Sequence, residues 1–179
     1  MKKTIISILA ISMFFACNAW SYQSLQEVFD DASAGGGYDK LLILDPEIEY
    51  EGGLFIDAGL TAGIMGFGAK IFIPSDREGI EIYDSKLDIT ECVLIGGQAA
   101  LYYQQNAYGK VYNNTIVGSA ASGIICYYQN DDSNLVIYNN IISDCYYGIW
   151  GIEENLPSYI DYNIVYNSTV FNYAQYCPG

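Results

Sequence analysis

Internal repetition constrains this chain more than any other feature. Four segments align: Glu91-Cys92-Val93-Leu94-Ile95-Gly96, Asn113-Asn114-Thr115-Ile116-Val117-Gly118, Asn139-Asn140-Ile141-Ile142-Ser143-Asp144 and Tyr162-Asn163-Ile164-Val165-Tyr166-Asn167. Their starts are 22, 26 and 23 residues apart. Two further series run in step, one through Gly79-Ile80-Glu81-Ile82, Ala100-Leu101-Tyr102-Tyr103, Gly123-Ile124-Ile125-Cys126 and Gly148-Ile149-Trp150-Gly151. The other runs through Leu87-Asp88-Ile89, Gly109-Lys110-Val111, Leu135-Val136-Ile137 and Ser158-Tyr159-Ile160. Each segment is too short for a helix and is bounded by Gly, Asn or Asp, so every repeat supplies three short strands. No single repeat can bury its own apolar face. The repeats must therefore stack, as one rung each, into an all-β, three-sided parallel solenoid of about six rungs.

Period-2 alternation assigns the faces. Ile80, Leu101, Ile124 and Ile149 point inward on the first face, Ile89, Val111, Ile137 and Ile160 on the second, and Leu94, Ile116, Ile142 and Val165 on the third. Asn114, Asn140 and Asn163 recur at one corner, where inward amides can bond to the rungs above and below as an asparagine ladder. Cys92 takes that corner in the preceding rung and should end the ladder. Variation in repeat length gathers after the first face, at Tyr83-Asp84-Ser85, 104–108, 127–133 and 152–157, the edge where function is expected.

Ser24-Leu25-Gln26-Glu27 has the pattern of a capping box, and Leu25, Val28, Phe29 and Ala32 share one side of the helix that should follow. Gly35-Gly36-Gly37 is expected to end it. Residues 22–37 thus read as a capping helix over the N-terminal end of the core, and 38–179 as the repeats. Ahead of them, Lys2-Lys3, the apolar run from Ile5 to Ala16 and the small residues up to Ser21 make 1–21 a signal peptide. Two processing routes fit: ordinary cleavage after Ala19-Trp20-Ser21, or lipidation at Cys17 in a loose lipoprotein box. Past the signal, no window approaches the ~20 apolar residues of a membrane-spanning helix. Cys92, Cys126, Cys145 and Cys177 allow three disulfide pairings or serve as small buried apolar residues. They contain no C-x-x-C spacing.

Charge narrows the chemistry. Seven Lys+Arg face 21 Asp+Glu, a net charge of −14, and there is no histidine. Nucleic acid is a poor partner for such a surface, and Ser-His-Asp, Cys-His and histidine-ligated metal chemistry are excluded outright.

The capping box, the helix, Leu41-Leu42-Ile43-Leu44-Asp45-Pro46 and the Asn-Asn-x-Ile repeats together resemble right-handed parallel β-helix proteins of the pectate-lyase-like superfamily, over roughly residues 24–168. That resemblance implies a right-handed solenoid. It leaves function open, because the superfamily holds pectate lyases, polygalacturonases, other polysaccharide lyases and surface proteins without activity. Its lyases resemble one another in using an Arg or Lys base beside Ca²⁺-holding carboxylates on the outer face of one sheet. Here Arg77 precedes the first clear rung, and Lys86 and Lys110 lie on the second face.

The expected site is therefore a platform of outward first-face side chains, Tyr83, Tyr102, Gln104, Tyr127 and Trp150, on which sugar rings stack while amides bond hydroxyls. Calcium is the other candidate ligand, through Asp131, Asp132, Glu153 and Glu154 on the long edge loops. No other cofactor is expected. The functional expectation is an exported, non-catalytic module at the cell surface or beyond it, binding a polysaccharide or cell-surface glycan or serving a structural role. A small polysaccharide lyase or glycoside hydrolase is the alternative. Because no cap follows Asn167, self-association through the C-terminal end is also expected.

Overall fold

The structure is a computed structural model that describes residues 22–127, 134–152, 159–175 and Cys177. Residues 1–21, including Cys17, lie outside the described part. The chain opens with β1 (Gln23–Ser24), α1 (Leu25–Asp31), β2 (Lys40–Ile43) and β3 (Glu49–Glu51). Repeating triplets follow: β4 (Leu54–Ile56), β5 (Thr61–Met65) and β6 (Lys70–Ile73); β7 (Ile80–Tyr83), β8 (Lys86–Thr90) and β9 (Val93–Gly96); β10 (Ala99–Gln104), β11 (Tyr108–Tyr112) and β12 (Thr115–Val117). Two more are β13 (Ser122–Tyr127), β14 (Leu135–Tyr138) and β15 (Ile141–Ser143), then β16 (Tyr147–Gly151), β17 (Tyr159–Asp161) and β18 (Ile164–Tyr166), with β19 (Phe171–Gln175) last. Every third strand pairs in parallel. The first face is β4-β7-β10-β13-β16-β19, the second β2-β5-β8-β11-β14-β17 and the third β1-β3-β6-β9-β12-β15-β18. This is the expected solenoid of about six turns.

Register follows the aliphatic columns. Ile80, Leu101, Ile124 and Ile149 pair in sequence on the first sheet, and all four are buried at 0% exposure. Ile89, Val111, Ile137 and Ile160 pair in sequence on the second, and Leu94, Ile116, Ile142 and Val165 on the third, all buried except Ile160 and Val165, which are partly buried in the last turn. Rungs sit about 4.8 Å apart, so each column is a continuous apolar stripe that fixes register, since a one-residue slip would turn it to solvent. The strand triplets also begin earlier than the repeat visible in the sequence, which first becomes regular at Gly79. The β5–β6 corner takes four residues, 66–69, where the corresponding later corners take two, and 74–79 lengthen the β6–β7 connection. These insertions hide the period.

The helix lids the N-terminal end. Ser24 caps it, with its Oγ accepting from the Glu27 amide at 3.3 Å, and Leu25 and Phe29 are buried in the core while Val28 and Ala32 pack beside them. Burying two such side chains contributes about 1.5–3 kcal/mol each. Gln26 Oε1 accepts from the Phe55 amide at 3.0 Å, which occupies part of the exposed edge of β4. The helix stops before the glycine run. Ala32 is its C-cap, and Lys40 Nζ donates to the Asp30 and Ala32 carbonyls at 2.7 and 2.8 Å, a cation satisfying the negative end of the helix. The glycines instead build a tight turn, in which Gly35 and Tyr38 exchange amide–carbonyl bonds. That turn lays the Tyr38 ring flat on Gly63, where a Cβ would sit 2.8 Å from the ring. The Tyr38 hydroxyl donates to Asp88 Oδ2 at 2.7 Å, and Lys86 pairs with the same oxygen at 3.0 Å.

Candidate functional site

Two features of the outer surface have the geometry of a site. The first is the corner between the second and third sheets. Each two-residue turn places Glu91, Asn113, Asn139 or Tyr162 in the left-handed region, at φ near 56–57°, and then Cys92, Asn114, Asn140 or Asn163 inward. The inward asparagines form the expected ladder. Asn163 Oδ1 accepts from the Asn140 amide, Asn140 Oδ1 from the Asn114 amide and Asn114 Oδ1 from the Cys92 amide, all at 3.0 Å, where the ladder stops. Outside it, a shallow groove of about 470 Å³ runs past Asn113, Asn139, Ile141 and Tyr162, and adjoins one of about 360 Å³ at Glu91, Phe67 and Val93. Buried amide satisfaction accounts for the ladder without a ligand.

The second feature is the outer face of the first sheet. Phe55, Glu81, Tyr102, Ile125, Trp150 and Ala174 form one register row across six strands. Tyr83, Gln104 and Tyr127 form the neighbouring row. All five residues expected from the sequence, Tyr83, Tyr102, Gln104, Tyr127 and Trp150, thus lie on this face. The rows are not one continuous aromatic strip, however. Ile125, buried to 7%, separates Tyr102 from Trp150, while Tyr83 and Phe55 are open at 42% and 46%.

A second group of rings surrounds Trp150. Tyr147 lies 5.0 Å from it between centroids, stacks on Phe171 of the next rung at 6.4 Å with planes 6° apart, and meets Tyr146 edge-on at 4.8 Å. Strict alternation from Ile149 would send Tyr147 inward, so the sequence reading omits it. The chain bends at Gly148, whose absent Cβ would lie 2.2 Å from Val165 Cγ1, and the bend turns Tyr147 out beside Trp150. The signal was the column of small residues Gly79, Ala100, Gly123 and Gly148, which marks that corner in every rung.

Electrostatics are concentrated at the other end of the row. Gln104 Nε2 donates to Glu81 Oε2 at 3.1 Å. Partial burial raises the Glu81 carboxyl above its usual 4.5 and Glu78 adds to the rise, with the Gln104 bond opposing both. Tyr102 is raised by burial and then by Tyr127, Glu78 and Glu81, so these groups share one local field. No described cation lies in either outward row. Among the described residues Lys40 caps α1, Lys70 faces Glu49 at 3.9 Å, Lys86 pairs with Asp88 and Lys110 is on the second sheet. Arg77 sits within the β6–β7 connection, inside the solenoid and not ahead of it, with Nε 3.5 Å from Asp76.

Asp131, Asp132, Glu153 and Glu154 lie outside the described residues. Among the described residues no three Cys, Asp or Glu side chains converge as a metal site would require, and no helix is long and apolar enough to cross a membrane. The four described cysteines are unpaired thiols within the core. Burial, followed by Glu91, pushes Cys92 up to about 12, and burial pushes Cys177 up to about 11.

Comparison with known proteins returns one family. The profile described as right handed beta helix region matches residues 65–177, from the end of β5 to the last cysteine. No curated protein and no solved structure matches the chain. The matched span covers well over half of the 179 residues and takes in every strand from β6 to β19, so the chain belongs to the right-handed parallel β-helix family.

Proposed function

We propose that this protein is an exported β-helix module that binds glycan, without catalysis, on the outer face of its first sheet. The observation that supports this most is the ring group Tyr146, Tyr147, Trp150 and Phe171 on the first sheet, with Trp150 in the register row of Tyr102. Sugar CH groups pack on such rings while neighbouring amides bond hydroxyls. Export rests on the Lys2-Lys3 and Ile5-to-Ala16 pattern at the N-terminus and places the module in the extracellular space or on the cell surface. The test is retention on polysaccharide affinity gels. Trp150→Ala and Tyr102→Ala should each weaken retention, and unchanged retention of both variants refutes the platform.

One observation favours a second reading, a small polysaccharide lyase or glycoside hydrolase. Glu81, raised in pKa beside Glu78, has the character of a general acid. Against it stands that no described cation lies in either outward register row; Arg77 comes nearest, with its side chain over Gly53 at the start of β4. Incubation with polygalacturonate and related polymers, followed for unsaturated products and new reducing ends, separates the two. Turnover abolished by Glu81→Gln would establish the enzyme.

A further inference from the structure

The outer face of the first sheet is uneven in charge as well as in shape, and that unevenness indicates the class of glycan. Glu81 lies in the register row between Phe55 and Tyr102, with Tyr83 two residues further along its own strand. Its carboxylate has capacity for about four hydrogen bonds, and Gln104 Nε2 supplies one of them. Glu78 adds a second negative charge to the same field. Among the described residues no lysine or arginine lies on either outward row.

A polymer lying along this face would strip water from Glu81. Removing a carboxylate from water is costly unless a partner charge and hydrogen bonds replace the solvent. A uronate polymer brings more carboxylates and is repelled. A neutral polymer stacks on the rings but leaves the charge uncompensated. An ammonium brings a positive charge and three donors, and the faces of Phe55, Tyr83 and Tyr102 attract it as well.

We infer that the ligand of this face is a glycan carrying free amino groups, a polymer of the glucosamine type, with Glu81 receiving its ammonium and the aromatic side chains its rings. This rests on the glycan-platform reading above and makes it more specific. The test compares a β-linked glucosamine oligomer with its fully N-acetylated counterpart and a galacturonate oligomer by titration calorimetry. Wild-type protein should bind the amino oligomer at least tenfold more tightly than the acetylated one, and the galacturonate oligomer least. In Glu81→Gln that preference should fall to within about threefold, with circular dichroism confirming the fold. Equal binding of the amino and acetylated oligomers, or a preference that survives the Glu81 substitution, overturns the inference while leaving the platform standing. Binding of none of the three oligomers, together with unchanged retention of Trp150→Ala and Tyr102→Ala on polysaccharide gels, refutes the platform itself. A lysine-rich peptide that binds as tightly as the glucosamine oligomer, with the same dependence on Glu81 and none on Trp150, overturns the assignment to a glycan.

Discussion

Replacing Asn140 by alanine removes the middle link of the amide ladder, and the structure sets the cost. The side chain is 1% exposed. Its Nδ2 has three acceptors for its two protons, the Val111 and Tyr138 carbonyls at 3.0 Å and Asn163 Oδ1 at 2.9 Å, while Oδ1 accepts from the Asn114 amide at 3.0 Å. Alanine leaves the buried Asn114 amide without an acceptor, at about 1–3 kcal/mol, and loses the two carbonyl bonds at about 0.5–1.5 kcal/mol each. The expected loss is about 4 kcal/mol, a large share of the ~5–15 kcal/mol that holds a typical domain together. Asn139 supplies the internal control. It is exposed, sits at φ 57° and donates to Asn113 Oδ1, so alanine there gives up mainly the asparagine preference for left-handed backbone, about 1 kcal/mol. Urea unfolding followed by far-ultraviolet circular dichroism measures both, with the m-value held constant as the check that the denatured state is unchanged. If Asn140→Ala costs no more than Asn139→Ala, the ladder is not what secures this corner.

Three further outcomes follow from the structure. Gly63→Ala should expel the Tyr38 ring and break its bond to Asp88, costing about 1–3 kcal/mol as overpacking does; Tyr38, pushed up to about 12 by burial and by Asp88, should then titrate near the ordinary 10, as ultraviolet titration reads directly. Asp39 and Glu81 should move stability in opposite directions with pH. Asp39 is held low by the Thr61 amide and hydroxyl, so its contribution is present above 3.8 and lost as pH falls through its folded-state value, whereas Glu81 is raised, so its contribution is complete below 4.5 and lost as pH rises through its folded-state value. Melting temperatures of Asp39→Asn and Glu81→Gln across that range should diverge from wild type accordingly, and parallel curves would contradict the assignment. Cys92, Cys126 and Cys145, buried as thiols, should resist alkylation until the chain unfolds, and rapid native-state labelling would show that these core columns open.

Most of the solenoid was legible because its determinants are periodic. The aliphatic columns at Ile80, Ile89 and Leu94 repeat from rung to rung, the ladder runs through Asn114, Asn140 and Asn163, and stacking forces like residues together. The capping helix was legible in the Ser24 box, since that signal is local. Its end was not. Lys40, eight residues after Ala32, supplies the C-terminal partners, and no local pattern announces a cap from so far along the chain. The outer face was only partly legible for a similar reason. Alternation gives correct faces within a straight strand and fails at a bend, so it places Trp150 and Tyr102 outward and leaves Tyr147, across Gly148, out of the expected platform. The pairing of Glu81 with Gln104 depends on register between rungs of unequal length, which alternation alone does not specify.

Where glycan lies on the solenoid is the central question, and hydroxyl-radical footprinting with mass-spectrometric readout addresses it residue by residue. With a saturating glucosamine oligomer, oxidation of Trp150, Tyr147, Phe171, Tyr102 and Tyr83 on the first sheet should fall, while Tyr112 and Tyr138, stacked at 5.3 Å on the second sheet, and Tyr162 at the ladder corner should be unchanged. Protection confined to Tyr112, Tyr138 or Tyr162, or no protection at all under saturating ligand, would contradict the assignment of function to the first face.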